Sequence, residues 1–267
     1  MLANLIIYNF GALIDIINIP FDNGANKLGS KHAYNTIKDE LYFLPINTRK
    51  IVKTDTHLTT MFGDGFSKIY ESFDKGHFPL CIGGDHSVAI SSIFAANTFC
   101  SSNRELLGVL WFDAHADFNT LETSPSYNLH GMPVSILCGH DLYSLSYGNF
   151  LDPCQFGYYG LRDIDSLELD RFQNYKMRII DNKEELKDWI DNFDAIHLSF
   201  DMDCLDPSEF KSVNTAVKNG PSIKNIYKMI DVVKDSEKLI SMDLVEYNPT
   251  IEINNNVIIN LLKKVFL

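Results

Sequence analysis

The apolar run LGVLWF at Leu107–Phe112 is followed directly by DAHAD at Asp113–Asp117. A short, uninterrupted apolar run bounded by polar residues is typical of a strand that is buried on both faces of a parallel sheet. In extended backbone, alternate side chains share one face, so Asp113, His115 and Asp117 are predicted to point the same way. The stretch therefore predicts a buried strand that ends in three potential metal ligands.

Similar short runs recur along the chain and alternate with helix-like stretches. This order predicts an α/β fold, a single three-layer α/β/α domain over residues 1–267 with a mostly parallel sheet. The sequence contains no internal repeat and no Pro/Gly/Ser-rich linker that would divide it. The predicted strands are Leu80–Ile82, Leu107–Phe112, Phe156–Tyr159, Ile196–Phe200 and Leu239–Leu244, and the predicted helices are Ser87–Phe99, Lys183–Asn192, Ser222–Lys234 and Val257–Val265.

Charge and cysteine content narrow the class of partner. The formal net charge of −12 argues against nucleic acid and suits a protein that attracts small cationic molecules. The five cysteines show no C-x-x-C spacing, so neither a disulfide framework nor a zinc knuckle is indicated. Cys81 and Cys204, which lie near the motifs, are expected to be packing residues. A reducing, cytoplasmic location is expected.

The apolar opening at Leu5–Pro20 has no Lys or Arg ahead of it and is interrupted by Asp15. A secretory signal peptide normally has a basic start and a continuous apolar centre. The segment is therefore predicted to be a buried first strand, and no membrane partner is expected.

Two more predicted strands end in polar motifs. Asp201 and Asp203 follow one strand in SFDMDCLDP, and GGDH at Gly83–His86 follows another. A single motif of this kind is usually a solvated turn. If the three strand ends converge, however, burying four carboxylates without cations would be prohibitively costly. Oxygen-rich donors with two imidazoles suit a pair of Mn²⁺-like ions better than zinc, and two such ions about 3.5–4 Å apart can share a water and turn it into a hydroxide nucleophile.

At these motifs the sequence resembles the ureohydrolase family of arginases, agmatinases and their relatives, from about Pro20 to Pro249. The resemblance implies a parallel sheet flanked by helices on both faces and two Mn²⁺ ions per chain. By the resemblance, one ion would be held by His86, Asp113, Asp117 and Asp201, and the other by Asp113, His115, Asp201 and Asp203, with Asp113 and Asp201 bridging.

The loop NTLETSPSYNLHGMP at Asn119–Pro133 resembles the arginase branch of the family. The resemblance implies that Asn119 and Ser126 bind the α-carboxylate of the substrate. Ser124 stands where arginases often have threonine. His130 would be the proton shuttle, and its ordinary pKa suits protonation of a leaving amine.

Two later segments complete the implied site. GLRDID at Gly160–Asp165 resembles the segment whose last aspartate meets the substrate α-amino group, and MDLVEYNP at Met242–Pro249 resembles the segment whose glutamate, here Glu246, orients the guanidinium. A carboxylate matches the planar donors of a guanidinium in bidentate fashion. The expected reaction is hydrolysis of L-arginine to L-ornithine and urea, with His130, Glu246 and Asp117 as catalytic residues.

Two segments depart from the family pattern. Arginases usually carry a Thr-Gly-Thr-Pro turn where this chain has Val213-Asn214-Thr215-Ala216, so Thr215 is kept as a substrate-side residue without its glycine and proline neighbours. The segment Gly24–Lys31 lacks the Gly-Pro ending common near the family's N-terminus. The family is commonly trimeric or hexameric, so a homo-oligomer is expected.

Other functions stay open at this point. An agmatinase, guanidinobutyrase or formimidoylglutamase would use the same metal motifs, although Asn119, Ser126 and Asp165 weigh against a substrate that lacks an amino-acid head. A non-catalytic binding subunit would be expected to lose ligands, and none is missing. A deacetylase of related architecture would need paired histidines, which the sequence does not contain.

Overall fold

A computed structural model describes residues 12–267 and contains one sheet of eight strands. The strands are β1 (Ile14–Ile19), β2 (Ile46–Ile51), β3 (Phe78–Gly83), β4 (Leu107–Phe112), β5 (Phe156–Tyr159), β6 (Arg178–Ile179), β7 (Ala195–Asp201) and β8 (Leu239–Val245). Their spatial order is β2-β1-β3-β8-β7-β4-β5-β6, and every neighbouring pair is parallel.

Helices cover both faces of this sheet. They are α1 (Ala33–Ile37), α2 (Leu58–Asp74), α3 (Ala89–Asn103), α4 (Pro133–Leu137), α5 (Ser166–Asn174), α6 (Lys183–Ile190), α7 (Ile223–Asp235) and α8 (Asn255–Phe266). Alternate side chains of β4 divide between two apolar cores, with Val109 and Trp111 packed on the α2, α3 and α4 side and Leu110 and Phe112 on the α1, α6, α7 and α8 side. The predicted three-layer α/β/α architecture is confirmed.

The predicted strands are the central ones, and β3, β4 and β7 are buried along their whole length. The edge strand β2 was not predicted, because its sequence INTRKI alternates between half-buried and exposed positions and carries charges. Helix α2 was missed because Gly63 and Gly65 interrupt its pattern. Gly65 is needed for close packing, since a Cβ there would lie 2.7 Å from Oγ of Ser91 in α3.

The predicted first strand is present as β1, in which all six residues are buried. The part of that prediction at residues 5–11 lies outside the described residues. Within residues 12–267, no helix is both long and apolar enough to cross a membrane.

The topology explains why distant motifs meet. Strands β3, β8, β7 and β4 are consecutive neighbours in the sheet, and all point the same way. Their carboxyl ends therefore lie along one edge, which is where parallel sheets place ligand-binding groups. His86 follows β3, Glu246 follows β8, Asp201 ends β7 and Asp113 follows β4.

Candidate functional site

Asp113 lies between the two predicted histidine ligands. Its Oδ2 is 2.8 Å from Nδ1 of His86, and its Oδ1 is 3.3 Å from Nδ1 of His115. Asp117 joins the first histidine at 3.2 Å, and Asp203 joins the second at 3.2 Å. The side chains thus form two potential metal-binding groups that share one carboxylate, an arrangement suited to a bridging ligand.

Asp201 belongs with the His86 group. Its Oδ2 lies 3.2 Å from Nδ1 of His86, while its Oδ1 accepts a hydrogen bond of 2.7 Å from the backbone N–H of Asp203. All six predicted ligands are therefore brought together. The structure shows the shared position for Asp113, whereas the second oxygen of Asp201 is engaged by the turn after β7.

The electrostatics of this cluster favour cations. Burial and the charges of Asp203 and Asp113 raise the pKa of Asp201 well above its usual value. Burial alone would lower the pKa of His86, but the surrounding carboxylates raise it instead. Nδ1 of His86 is buried and faces the carboxylates of Asp113, Asp117 and Asp201 at 2.8–3.2 Å, but within residues 12–267 it makes no contact with hydrogen-bond geometry. Several buried carboxylates gathered around one imidazole nitrogen fit divalent metal ions, and oxygen-rich donors suit manganese.

The other nitrogen of His86 is held by a buried network that the sequence reading missed. Ser199 Oγ donates a 2.6 Å hydrogen bond to Oδ1 of Asp243 and lies 2.9 Å from Nε2 of His86. Because the single hydroxyl hydrogen of Ser199 is used on Asp243, Nε2 of His86 must carry the proton that completes the second contact. In the neutral form of the ring, which is the form that binds a metal ion, the lone pair of Nδ1 faces the carboxylates.

Asp243 is held in turn by Ser92 at 2.6 Å and by His197 at 2.8 Å. The available signal for this network was the run of buried polar residues at alternate positions of β7. His197, Ser199 and Asp201 lie on the same face of that strand.

Glu246 and His130 form a pair. Oε1 of Glu246 accepts a 3.1 Å hydrogen bond from the backbone N–H of His86 and lies 3.1 Å from Nδ1 of His130. Burial lowers the pKa of His130, but the neighbouring carboxylates, led by Glu246, raise it to about 9. Oε2 of Glu246 is buried and has no hydrogen-bond partner among residues 12–267. A buried carboxylate oxygen without a donor is a strong position for a ligand N–H.

A cavity of about 250 Å³ opens above the cluster. Asp201 and Asp203 lie on its buried side, whereas Ser126 and Asp165 are exposed. The cavity therefore has an anionic floor and a polar mouth. Its lining includes the predicted residues Asn119, Ser124, Ser126, His130, Asp165 and Thr215.

The residues of the cavity mouth are positioned by their own loop. Nδ2 of Asn119 donates to Asp165 at 3.3 Å, and its buried Oδ1 makes no hydrogen bond within the described chain. Ser124 Oγ accepts from the N–H of Tyr127 at 2.9 Å, and Ser126 Oγ accepts from a backbone N–H at 3.2 Å. Both hydroxyls keep their own hydrogen for a ligand.

Glu168 also lines the cavity and was not predicted. Its Oε1 accepts a 2.7 Å hydrogen bond from the N–H of Phe118, and burial raises its pKa to about 8. Its position could have indicated a residue near the site, because Glu168 lies three residues after Asp165, the N-cap residue of α5. Helix α5, however, was not among the predicted helices. Cys81 and Cys204 are buried, and neither joins the two potential metal-binding groups found within residues 12–267.

Comparison with known proteins identifies the family. The model of the Arginase family matches residues 12–266 of this chain. The chain belongs to the arginase family. This membership agrees with the fold and with the order of the three metal motifs.

Arginase-family relatives extend over most of the sequence. The arginase of Bacillus subtilis (strain 168) is 33% identical over 278 residues, covering 91% of this chain and 92% of the relative. The arginase of Staphylococcus aureus (strain MRSA252) is 37% identical over 205 residues. That alignment covers 71% of this chain and 66%, just under two thirds, of the staphylococcal protein.

Solved arginase structures share the whole fold. The structure of Entamoeba histolytica arginase in complex with L-ornithine matches with a TM-score of 0.86 and 27% identity, covering 95% of this chain and 97% of that one. Arginase from Bacillus subtilis matches with a TM-score of 0.84 and 26% identity, covering 95% and 98%. The parallel eight-stranded architecture is thus the arginase fold.

Proposed function

We propose that this chain is an arginase-type ureohydrolase that hydrolyses L-arginine to L-ornithine and urea with two Mn²⁺ ions. The observation that carries the proposal is the cavity itself, whose polar mouth at Ser126 and Asp165 leads to a buried anionic floor. L-Arginine has a zwitterionic head at one end and a planar cation at the other. The two ends of the substrate match the two ends of the cavity.

The proposed metal ligands are those of the cluster. His86, Asp117 and Asp201 would hold one ion and His115 and Asp203 the other, and Asp113 would contribute to both. A second shared role for Asp201 is what the family resemblance implies. When bound, two such ions would activate a water molecule as the nucleophile and would offset the charge of the carboxylates. The N–H of Ala114 donates to Asp203 at 3.2 Å and that of His115 donates to Asp113 at 2.7 Å, so the backbone helps to orient both carboxylates.

Glu246 orients the guanidinium. Its Oε1 is engaged by His86 and His130, so Oε2 is the oxygen left to accept a guanidinium N–H. A charge-assisted hydrogen bond at a buried carboxylate is strong and fixes the plane of the group. Because Oε1 of Glu246 accepts from the backbone N–H of His86, a guanidinium on Oε2 would lie beside the metal cluster, although Glu246 is not among the described residues that line the cavity.

His130 supplies the proton for the leaving amine. In the metal-free protein Glu246, beside the ring, raises its pKa to about 9, which favours the protonated form that a proton donor needs. As the oxygen of water joins the guanidinium carbon, the bond from that carbon to Nε breaks, and Nε leaves with a proton as the side-chain amine of ornithine. Asp117, also proposed as catalytic, would act as a ligand of the ion beside His86.

The mouth of the cavity selects the head group. Asn119 has a second amide hydrogen, and Ser124 and Ser126 have hydroxyl hydrogens, to donate to an α-carboxylate. Asp165 accepts from the α-ammonium group. The presence of L-ornithine, the product of this reaction, in the related Entamoeba structure supports the assignment.

The test is a urea-release assay of the Mn²⁺-loaded protein on L-arginine, agmatine and guanidinobutyrate side by side. We expect kcat/KM to be highest for L-arginine, on the order of 10²-fold or more above agmatine, because agmatine leaves the carboxylate donors unpaired. Asp165→Ala should reduce the use of arginine far more than that of agmatine. A higher kcat/KM for agmatine or guanidinobutyrate would overturn the arginase assignment, and formimidoylglutamate should be tried if none releases urea.

We further propose that residues 1–267 form one domain and that the protein is a cytoplasmic homo-oligomer, a trimer or hexamer. Sedimentation velocity of the purified protein measures the oligomer directly. A monomer at micromolar concentration would contradict this part of the proposal.

A further inference from the structure

The two segments that depart from the family pattern contact each other. Lys27 Nζ donates a 2.7 Å hydrogen bond to the backbone oxygen of Asn214, and Nδ2 of Asn214 donates a 2.9 Å hydrogen bond to the backbone oxygen of Lys27. The contact joins residues 187 positions apart in the chain. Asn214 therefore supplies a side-chain amide to this turn, where the glycine of the usual family turn would supply none.

Asn248 completes this contact. Its Nδ2 donates to Oδ1 of Asn214 at 2.7 Å and to the backbone oxygen of Leu28 at 3.1 Å. Its Oδ1 accepts from the N–H of Thr250 at 3.0 Å. Both asparagines are buried, and each oxygen and nitrogen of their amides makes at least one hydrogen bond. We call Lys27, Asn214 and Asn248 the asparagine brace.

The neighbouring backbone is adapted to the brace. Gly29 has a φ of +132°, and a Cβ at this position would lie 2.2 Å from Oδ1 of Asn248. Only glycine satisfies both the conformation and the close approach. The N-terminal segment is thus shaped to receive the amide of Asn248.

Each segment joined by the brace carries a group of the site. Thr215, which follows Asn214, donates a 2.9 Å hydrogen bond to Oδ2 of Asp203. Glu246 lies two residues before Asn248. The backbone oxygen of Gly24, three residues before Lys27, accepts a 3.1 Å hydrogen bond from the N–H of His130. The brace therefore fixes three loops of the site relative to one another.

We infer that Asn214 is a positioning residue, which holds Thr215 against Asp203 and so keeps that carboxylate oriented as a metal ligand. The inference rests on the proposed function, since it takes Asp203 as a ligand. A partner that orients a ligating carboxylate typically contributes a factor of about 10–100 to metal affinity. Thr215 carries the effect, because its hydroxyl is the contact between the turn and the ligand.

The experiment compares Asn214→Gly with Asn219→Gly by titrating Mn²⁺ into the metal-free full-length protein in a calorimeter. Asn219 lies in the same loop, is exposed and has a φ of 66°, so glycine is tolerated there. We expect Asn214→Gly to weaken at least one Mn²⁺-binding step about 10-fold. Asn219→Gly should leave both steps unchanged.

A double variant separates an effect of Asn214 on the position of Thr215 from an effect on the stability of the whole protein. In Thr215→Val protein the hydroxyl contact is already lost, so adding Asn214→Gly should weaken Mn²⁺ binding no further. Fully additive losses would overturn the inference, as would an Asn214→Gly protein that melts earlier but binds Mn²⁺ like the wild type.

Lys27→Met covers the case in which Asn214→Gly does not fold, since Lys27 is exposed and contributes one side-chain hydrogen bond to the brace. Lys27→Met should also weaken Mn²⁺ binding, by a smaller factor than Asn214→Gly. Lys218→Met is its control, because Lys218 is an exposed lysine in the loop that contains Asn214. Equal affinities in Lys27→Met and Lys218→Met would refute the brace.

Wild-type protein that binds Mn²⁺ but releases no urea would refute the proposed reaction and leave the brace intact, whereas wild-type protein that binds no Mn²⁺ would refute both.

Discussion

Nδ1 of His130 lies 3.1 Å from Oε1 of Glu246, so the proposed proton donor and the carboxylate proposed to orient the guanidinium form one hydrogen-bonded pair. The carboxylate raises the pKa of the imidazole, and Oε2 of the carboxylate has no hydrogen-bond partner within residues 12–267. In the proposed reaction, this single contact couples proton transfer to substrate orientation. The two residues should nevertheless be separable by mutation.

His130→Asn should lower kcat by about 10²–10⁴-fold, because the leaving amine loses its proton donor. Metal content should stay normal, as His130 is not among the proposed ligands. The measurement is steady-state urea release together with metal analysis of the same sample, and His32→Asn, an exposed histidine, is the control. Nearly full kcat in His130→Asn would assign the proton to water or another residue.

Glu246→Gln should lower kcat/KM for L-arginine by about 10–100-fold, because a charge-assisted hydrogen bond of about 1.5–3 kcal/mol is lost at a buried position. The same change should lower the pKa of His130 from about 9 towards its ordinary value, since Glu246 is the leading cause that raises it. Kinetics and an NMR titration of His130 in metal-free protein measure the two effects. Glu252→Gln, an exposed glutamate, is the control. An unchanged pKa of His130 would contradict the pairing.

Asp113→Ala should abolish binding of both metal ions, because each oxygen of Asp113 faces a different group of the cluster. Chelator dialysis of the wild type should remove activity and Mn²⁺ should restore it, whereas Asp113→Ala should not be rescued. Metal stoichiometry and activity are measured before and after reloading, with the exposed Asp191→Ala as control. Full activity in rigorously metal-free wild-type protein would be incompatible with this site.

Much of this site was predictable because its proposed ligands follow short, mostly apolar strand-like runs. The fully buried β4 and β7 could be recognised without their neighbours, and the motifs DAHAD and DMD put Asp113 and Asp201 at strand ends. The convergence of those ends was only a condition of the metal prediction, because it depends on the order of the strands in the sheet. The sharing of Asp113 and the pairing of His130 with Glu246 depend on contacts between distant segments. The His197–Asp243 network was hidden for the same reason, since each member alone looks like a polar interruption of a strand.

Asp15 allows a test of the fold away from the metal cluster. It is fully buried in β1, and Asn47 and Thr48 of the neighbouring strand β2 donate hydrogen bonds of 2.9 Å and 2.8 Å to its Oδ1. Burial alone would raise its pKa, but the hydrogen bonds outweigh burial and lower it from 3.8 to about 2. A lowered carboxyl pKa stabilises the folded state above the unfolded value of 3.8, and this contribution is lost as the pH falls through about 2.

Asp15→Asn should therefore reduce the free energy of unfolding by on the order of 2 kcal/mol at pH 7. The difference from the wild type should shrink between pH 4 and pH 2. Chemical denaturation of metal-free protein at several pH values measures it, with Asp39→Asn as an exposed control. A difference that is independent of pH would show that the charge of Asp15 is not what stabilises the fold.

The reaction itself is tested most directly by L-arginine labelled with ¹³C at the guanidinium carbon, followed by NMR with Mn²⁺-loaded protein. Attack of water on that carbon and cleavage of its bond to Nε predict that all of the label appears in urea and that the ornithine is unlabelled. In ¹⁸O-water the urea oxygen should carry the heavy isotope. Label that stays with the amino acid, as in a deimination that releases ammonia, or the absence of any turnover by protein with two ions bound, would contradict the account.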